Sequence, residues 1–169
     1  IAVEEAGLGA DNMFVGRFVA ILDENKSQSS FCRGIDYKQR RALLSYAPRA
    51  MVFKPHGSLD WYARNGRPVQ FAGDLPHATR LMITPGANKF RSGYDSPFDR
   101  HRERANGAID RGSRFLILGY GFNDVHLETH LVRAIRDGKP TLLITHTLTE
   151  NAQLLTQENP HVIALVWHN

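Results

Sequence analysis

Apolar and polar positions alternate most regularly in the second half of the chain. Short apolar runs predict three strands, at 114–118, 141–145 and 162–167. Between the first two runs, Leu127, Leu131 and Ile135 recur at a spacing of four, which predicts the apolar face of a helix. Thr149 is placed to cap a second helix before the last run. This β-α-β-α-β order with short connections is typical of a parallel sheet covered by helices.

The first half of the chain is less regular. An apolar run at 50–53 predicts a buried strand, and Asn65-Gly66 between two strand-like runs predicts a hairpin. The segment 23–30 is polar and is predicted to be a turn. The segment 37–47 is ambiguous between helix and loop.

The predicted elements place one loop at a position where sheets bind ligands. Right-handed crossovers put the loop after 115–118 at the carboxyl edge of a parallel sheet, where such folds bind ligands. The sequence therefore predicts an α/β fold in a single domain over 1–169. We expect a small insertion at 59–93 to hold the hairpin, at 59–71.

Composition limits the class of protein further. The 169 residues are 42% hydrophobic and 22% charged, and no apolar run approaches the ~20 residues that cross a bilayer. A lone cysteine, Cys32, forms neither an internal disulfide nor a cysteine zinc site, which favours a reducing, cytoplasmic setting. The net charge is +4, and five arginines fall close together: Arg100, Arg102, Arg104, Arg111 and Arg114. They predict either a solvated helix face or an attraction to the phosphates of a dinucleotide or nucleic acid.

The loop after the first strand of the second half is the first candidate site. It reads Gly119-Tyr120-Gly121-Phe122-Asn123-Asp124. A strand, a glycine loop and a helix in this order offer backbone N–H groups and a positive helix end to a phosphate. Asn123 and Asp124 can cap the helix or bind ribose hydroxyls. The alternative is that the glycines only make a tight turn, since such short motifs match often by chance.

A second candidate loop centres on His56. This residue follows a predicted strand and precedes Gly57 and Ser58, so its side chain can reach a cleft at the sheet edge. An imidazole can take a proton from a ribose hydroxyl or from an attacking water. The alternative is a structural histidine that bonds a backbone carbonyl. For Ser58, hydrogen bonding or capping is favoured over a nucleophilic role, because no Ser/His/Asp pattern accompanies it.

Two histidines have the spacing of possible metal ligands. His126 and His130 lie four residues apart on a predicted helix and could share a zinc ion. The order His-Leu-Glu-Thr-His lacks the glutamate beside the first histidine that the metalloprotease motif requires, and no third ligand is evident. An exposed helix face is favoured, and we expect no metal site.

Three blocks of sequence together indicate a family. They are 54–61 (KPHGSLDW), 84–90 (TPGANKF) and 119–124 (GYGFND), in that order along the chain. On these blocks the chain resembles the sirtuin-like family of NAD-binding proteins, over about residues 1–150. It is most similar to the bacterial members that act in anti-phage defence and pair with a HerA-type ATPase. The resemblance implies a three-layer, Rossmann-like parallel sheet of the sirtuin type, without its N-terminal half.

The resemblance also implies an activity and a set of site residues. The expected reaction is the hydrolysis of NAD to ADP-ribose and nicotinamide by the full-length protein, with His56 as the catalytic residue and NAD as substrate. The 169 residues alone are expected to hold an incomplete site. The implied NAD contacts are Gly57, Ser58, Gly119, Tyr120, Gly121, Phe122, Asn123, Asp124, Thr145 and His146, the last two near the adenine ribose. Deacylating sirtuins carry a four-cysteine zinc module, and the single cysteine disfavours that activity and a zinc ion.

The implied partners are further copies of the chain in a homo-oligomer and a HerA-type ATPase. No membrane contact is expected, and nucleic acid is expected only as an indirect partner. A sheet without its first half would leave an edge strand unpaired and apolar surface exposed. Two other functions remain open: a non-catalytic module that binds NAD or ADP-ribose or oligomerises, and a DNA-binding domain that uses the arginine-rich helix.

Overall fold

A computed structural model describes residues 2–38, 41–84 and 95–167, without the side chains of 125–127. The fold is a mixed α/β arrangement with several sheets, most of them small and some of them parallel. The α/β class is therefore confirmed, whereas the three-layer, Rossmann-like sheet stays a prediction. The described helices are α1 Ala2–Glu5, α2 Glu24–Ser30, α3 Phe98–Arg111, α4 Val125–Arg136 and α5 Glu150–Glu158.

Two compact units make up the chain, Ile1–His101 and Arg102–Asn169. The first contains β1 Gly9–Asp11, β2 Phe14–Val15, β3 Ala20–Leu22, β4 Cys32–Lys38, β5 Arg41–Tyr46, β6 Arg49–Met51, β7 Gly57–Arg64, β8 Arg67–Gln70 and β9 Thr79–Met82. The second contains β10 Phe115–Leu118, β11 Thr141–Thr145 and β12 Val162–Val166. A single domain with an insertion at 59–93 stays a prediction, and part of that insertion lies outside the described residues.

The first unit is built on a five-stranded antiparallel sheet in the order β2-β3-β8-β7-β9. Its β7–β8 connection is the predicted Asn65-Gly66 hairpin. Both turn residues have positive φ, 51° and 71°, as a two-residue type I′ turn requires. Trp61 and Tyr62 on β7 are among the most buried side chains, so this hairpin carries the centre of the unit's core.

Two smaller sheets complete the first unit. Strands β1 and β6 pair in parallel, and β4 and β5 form an antiparallel hairpin. The prediction of a turn at 23–30 was wrong, because Asp23 accepts a hydrogen bond from the Lys26 N–H at 3.0 Å and caps α2. This helix buries only Ser27, so it has no apolar periodicity to detect. The ambiguous segment 37–47 falls largely on the β4–β5 hairpin.

The second unit confirms the predicted β-α-β-α-β order. Its three strands are parallel, in the order β10-β11-β12, with α4 and α5 as the connections. Both helices pack against the sheet face that carries Ile117, Leu143 and Val162, where Ile135 and Leu155 are buried. The alternate residues on the opposite face are exposed: Leu116, Leu118, Ile144, Ile163 and Leu165.

None of the described helices is long and apolar enough to cross a bilayer, the longest being α3 with 14 residues.

Candidate functional site

The loop from Gly119 to Asp124 lies at the carboxyl edge of the parallel sheet, as predicted. The Gly119 N–H donates to the carbonyl oxygen of Ile144 at 2.9 Å, which ties the end of β10 to the end of β11. Thr145 and His146 follow Ile144, so the structure brings these two predicted residues to the same edge as the loop.

Side chains at the start of α5 hold this loop in place. The Thr149 hydroxyl donates to the Gly121 carbonyl, and the Asn151 amide donates to the Phe122 carbonyl at 2.7 Å. The same amide lies 3.3 Å from Asn123 Oδ1. A Cβ at Gly121 would come within 2.9 Å of Thr149 Cγ2, so this contact requires glycine. Neither of these two hydrogen bonds was predicted from the sequence, which indicated only a capping role for Thr149 and no role for Asn151.

Carboxylates dominate the electrostatics of the loop. The Asp124 N–H donates to Glu128 Oε1 at 2.6 Å, so an acidic side chain already occupies the first turn of α4. Burial, with the charges of Glu128 and Asp124, raises the pKa of Tyr120 to about 12. An anionic phosphate would compete with the carboxylates of Asp124 and Glu128 for the N-terminus of α4. Ribose hydroxyls, in contrast, can donate hydrogen bonds to these carboxylates. The arrangement therefore favours a hydroxyl-bearing ligand at the start of α4.

Thr145 and His146 form a local polar turn at the end of β11. The Thr145 hydroxyl donates to the Thr147 carbonyl at 3.0 Å. One ring nitrogen of His146, Nδ1, lies 3.1 Å from Thr147 Oγ1. His146 is exposed and Thr145 is half-buried, so a ligand at this edge can reach both.

His56 lies in the other unit, in a tight turn that leads into β7. The Gly57 N–H donates to the Lys54 carbonyl, and the Ile83 N–H donates to the His56 carbonyl, both at 2.9 Å. Gly57 has a φ of +82°, and a Cβ there would come within 2.2 Å of the Leu81 carbonyl oxygen. This turn therefore requires glycine next to the histidine, and it leaves the His56 side chain exposed.

A chain of polar side chains, which we call the Lys54–Gln70 chain, braces this turn. Lys54 Nζ donates to Ser58 Oγ at 2.8 Å, across the turn that contains His56. The Asp60 carboxylate, two residues further on, accepts from Gln70 Nε2 at 2.5 Å. Burial raises the pKa of Asp60, but the neighbouring Ser58, the Gln70 hydrogen bond and the Lys54 charge outweigh it and hold the pKa below its ordinary value of 3.8. Asp60 is therefore ionised at neutral pH and anchors the chain.

A buried histidine also holds this turn through a hydrogen bond to its first residue. His101 is fully buried, and its Nδ1 accepts the Lys54 N–H at 3.3 Å. Its ring lies 4.4 Å from Trp61 and 6.2 Å from Phe14, measured between centroids. Burial and the Lys54 charge, partly opposed by Glu24, lower the pKa of His101 to about 4. His101 is therefore neutral at pH 7 and has a structural role. This role was not predicted, because His101 lies among the arginines of the predicted helix.

The remaining candidate residues from the sequence belong to neither of these two loops. His130 pairs with Asp110 at 2.9 Å, and the side chain of His126, four residues earlier, lies outside the described residues. Most of the 84–90 block also lies outside them. Within the described ranges, no three His, Cys, Asp or Glu side chains are grouped so that they could hold a metal ion. His56 belongs to the first unit and 119–124 to the second, and each loop is described within its own unit.

Compared with models of known protein families and with curated protein sequences, the chain matches neither. The sirtuin-like assignment therefore stays a prediction that depends on the three motif blocks.

Proposed function

We propose that this protein is a sirtuin-like NAD glycohydrolase of anti-phage defence, which splits NAD into ADP-ribose and nicotinamide with His56 as the catalytic base. The observation that carries the proposal is the construction of the His56 turn. A glycine that tolerates no side chain, an ionised Asp60 and the Lys54–Ser58 hydrogen bond fix a turn whose apex is an exposed imidazole. Such preorganisation of a proton acceptor is typical of catalytic loops.

The carboxyl edge of the parallel sheet supports the NAD-binding part of the proposal. Open parallel sheets bind ligands at this edge, and the loop at 119–124 is braced there by Thr149 and Asn151. Carboxylates of Asp124 and Glu128 suit the hydroxyls of a ribose. In this proposal the sheet belongs to a three-layer, Rossmann-like domain of the sirtuin type.

The proposed reaction breaks the bond between nicotinamide and its ribose. This bond opens through a cation-like state at the anomeric carbon, as in glycoside cleavage, and nicotinamide leaves as a neutral ring. His56 takes the proton of the attacking water, or of a ribose hydroxyl, while the Lys54–Gln70 chain keeps the turn in place. The reaction requires no zinc, in keeping with the single cysteine.

The proposal extends to partners and to location. The exposed apolar residues on the outer face of β10–β12 support assembly into a homo-oligomer, since parallel sheets are normally covered on both faces. A HerA-type ATPase as partner and a cytoplasmic location are proposed on the sequence resemblance alone.

A non-catalytic module that binds NAD or ADP-ribose is the second candidate function. The loop at 119–124 favours it, because the carboxylates of Asp124 and of Glu128 on α4 suit ribose hydroxyls, and neither they nor the Asn151 hydrogen bond to Phe122 involves His56. Calorimetry with NAD, together with a nicotinamide-release assay on the same protein, separates the two functions. We expect binding accompanied by release, whereas binding without release would favour the module. Absence of both would refute the NAD assignment.

A further inference from the structure

A second candidate site lies in the first unit, in a cavity of about 620 Å³. It opens between the β3–α2 connection, the start of β8 and the start of α3. Its volume falls within the range of small-molecule sites, roughly 300–1,000 Å³. Neither His56 nor any member of the Lys54–Gln70 chain lines it, so it is a different site from the proposed catalytic turn.

One part of the cavity wall is apolar. Ile21 and Leu22 of β3 line it, together with Pro68 of β8. Ile21 is 44% exposed although it lies within the five-stranded sheet, and Leu22 and Pro68 are half-buried. This wall can therefore bury the flat or apolar body of a ligand.

Another part of the wall is cationic. Arg67 and Arg100 line the cavity, both are exposed, and neither forms an ion pair with a residue that the structure describes. Guanidinium groups bind phosphate through two parallel hydrogen bonds, and two of them at one site attract a doubly charged anion. The hydroxyl of Ser96 lies in the same lining and can add a further donor.

Acidic residues at the cavity do not cancel this charge. Asp23 accepts from the Lys26 N–H at 3.0 Å and pairs with Lys26 Nζ at 3.6 Å, so its charge is balanced locally. Glu24 is the other carboxylate in the lining, whereas two arginines line the same cavity. The positive charge of the cavity therefore exceeds the negative charge.

We propose that this cavity binds a phosphate monoester with a flat or apolar body, the chemical class of the nucleoside monophosphates. The phosphate lies between Arg67 and Arg100, and the body lies against Ile21, Leu22 and Pro68. A ligand of this class would give the protein a nucleotide site separate from the one at which NAD is hydrolysed.

Titration calorimetry of the full chain with AMP, inorganic phosphate and adenosine tests the proposal. We expect AMP to bind more tightly than either of its parts. Arg67→Ala and Arg100→Ala should each weaken AMP binding by about tenfold, the value of a lost charge-assisted hydrogen bond. The matched control Arg64→Ala changes an exposed arginine at the end of β7 outside the cavity and should leave binding unchanged.

Ile21→Glu provides a second variant, because it places a carboxylate in the cavity at an exposed position. It should abolish AMP binding while the thermal melting curve stays cooperative. His56→Ala should keep AMP binding, which separates this site from the proposed catalytic turn. Binding that both arginine variants leave intact, phosphate or adenosine bound as tightly as AMP, or no AMP binding at millimolar concentration would each overturn the proposal.

Discussion

Ser58 lies two residues after His56, and its hydroxyl oxygen accepts a hydrogen bond from Lys54 Nζ across the turn. The resemblance implies that Ser58 contacts NAD, whereas the structure describes a hydrogen bond from Lys54 Nζ to Ser58 Oγ at 2.8 Å. Lys54 precedes His56 and Ser58 follows it, so their hydrogen bond closes the turn that contains His56. Ser58 can therefore act by positioning His56, the proposed catalytic residue.

Buried His101 makes the stability of the folded protein depend on pH. Its pKa is lowered from 6.5 to about 4 in the folded protein, so between these values the unfolded chain binds more protons than the folded one. The free energy of unfolding should therefore fall as the pH drops from 6.5 towards 4, with His101 contributing about 3 kcal/mol. Denaturant unfolding at pH 7 and pH 4.5 measures this fall.

The variant His101→Phe serves as the control for this prediction. It retains a ring against Trp61 and removes the titrating group, so its loss of stability between the two pH values should be smaller. If wild type and variant lose the same free energy over this range, the buried neutral state of His101 is contradicted.

Elements differ in how far the sequence predicts them. The parallel strands were predicted from continuous apolar runs, and α4 from apolar residues that recur at a spacing of four. The β4–β5 hairpin was missed because nearly every described position on it is exposed, so no alternation of burial marks its strands. The braces from Thr149 and Asn151 were missed because they join residues 28 or 29 positions apart, which no local pattern encodes.

The turn that precedes β7 depends on the glycine at position 57. Gly57→Ala should lower the free energy of unfolding by about 3 kcal/mol or more. An added Cβ would clash with the Leu81 carbonyl oxygen, and the positive φ is unfavourable for alanine. Gly66→Ala is the matched control, since Gly66 has a φ of +71° and open space around it. That control should cost only about 1 kcal/mol.

Chemical denaturation of the two variants measures the difference. Equal losses of stability would contradict the close packing of the His56 turn against β9. Since this packing fixes the turn, Gly57→Ala should also lose nicotinamide release, whereas Gly66→Ala should keep it.

At the scale of the whole molecule, the exposed sheet face supports the proposed homo-oligomer. Sedimentation equilibrium should give a mass that is a multiple of one chain. Leu165→Gln, on the exposed face of β12, should shift the protein towards smaller species. Leu154→Gln is the matched control, because Leu154 is similarly exposed but lies on α5. A mass of one chain at high protein concentration would contradict the proposal.

The rate of nicotinamide release decides whether His56 is the residue that cleaves NAD, as proposed. We expect full-length wild-type protein to release nicotinamide and its His56→Ala variant to release it at least about 100-fold more slowly, the contribution of a general base. His130→Ala, which changes a histidine of the other unit paired with Asp110, should keep the wild-type rate. Wild-type release by folded His56→Ala protein would contradict the assignment.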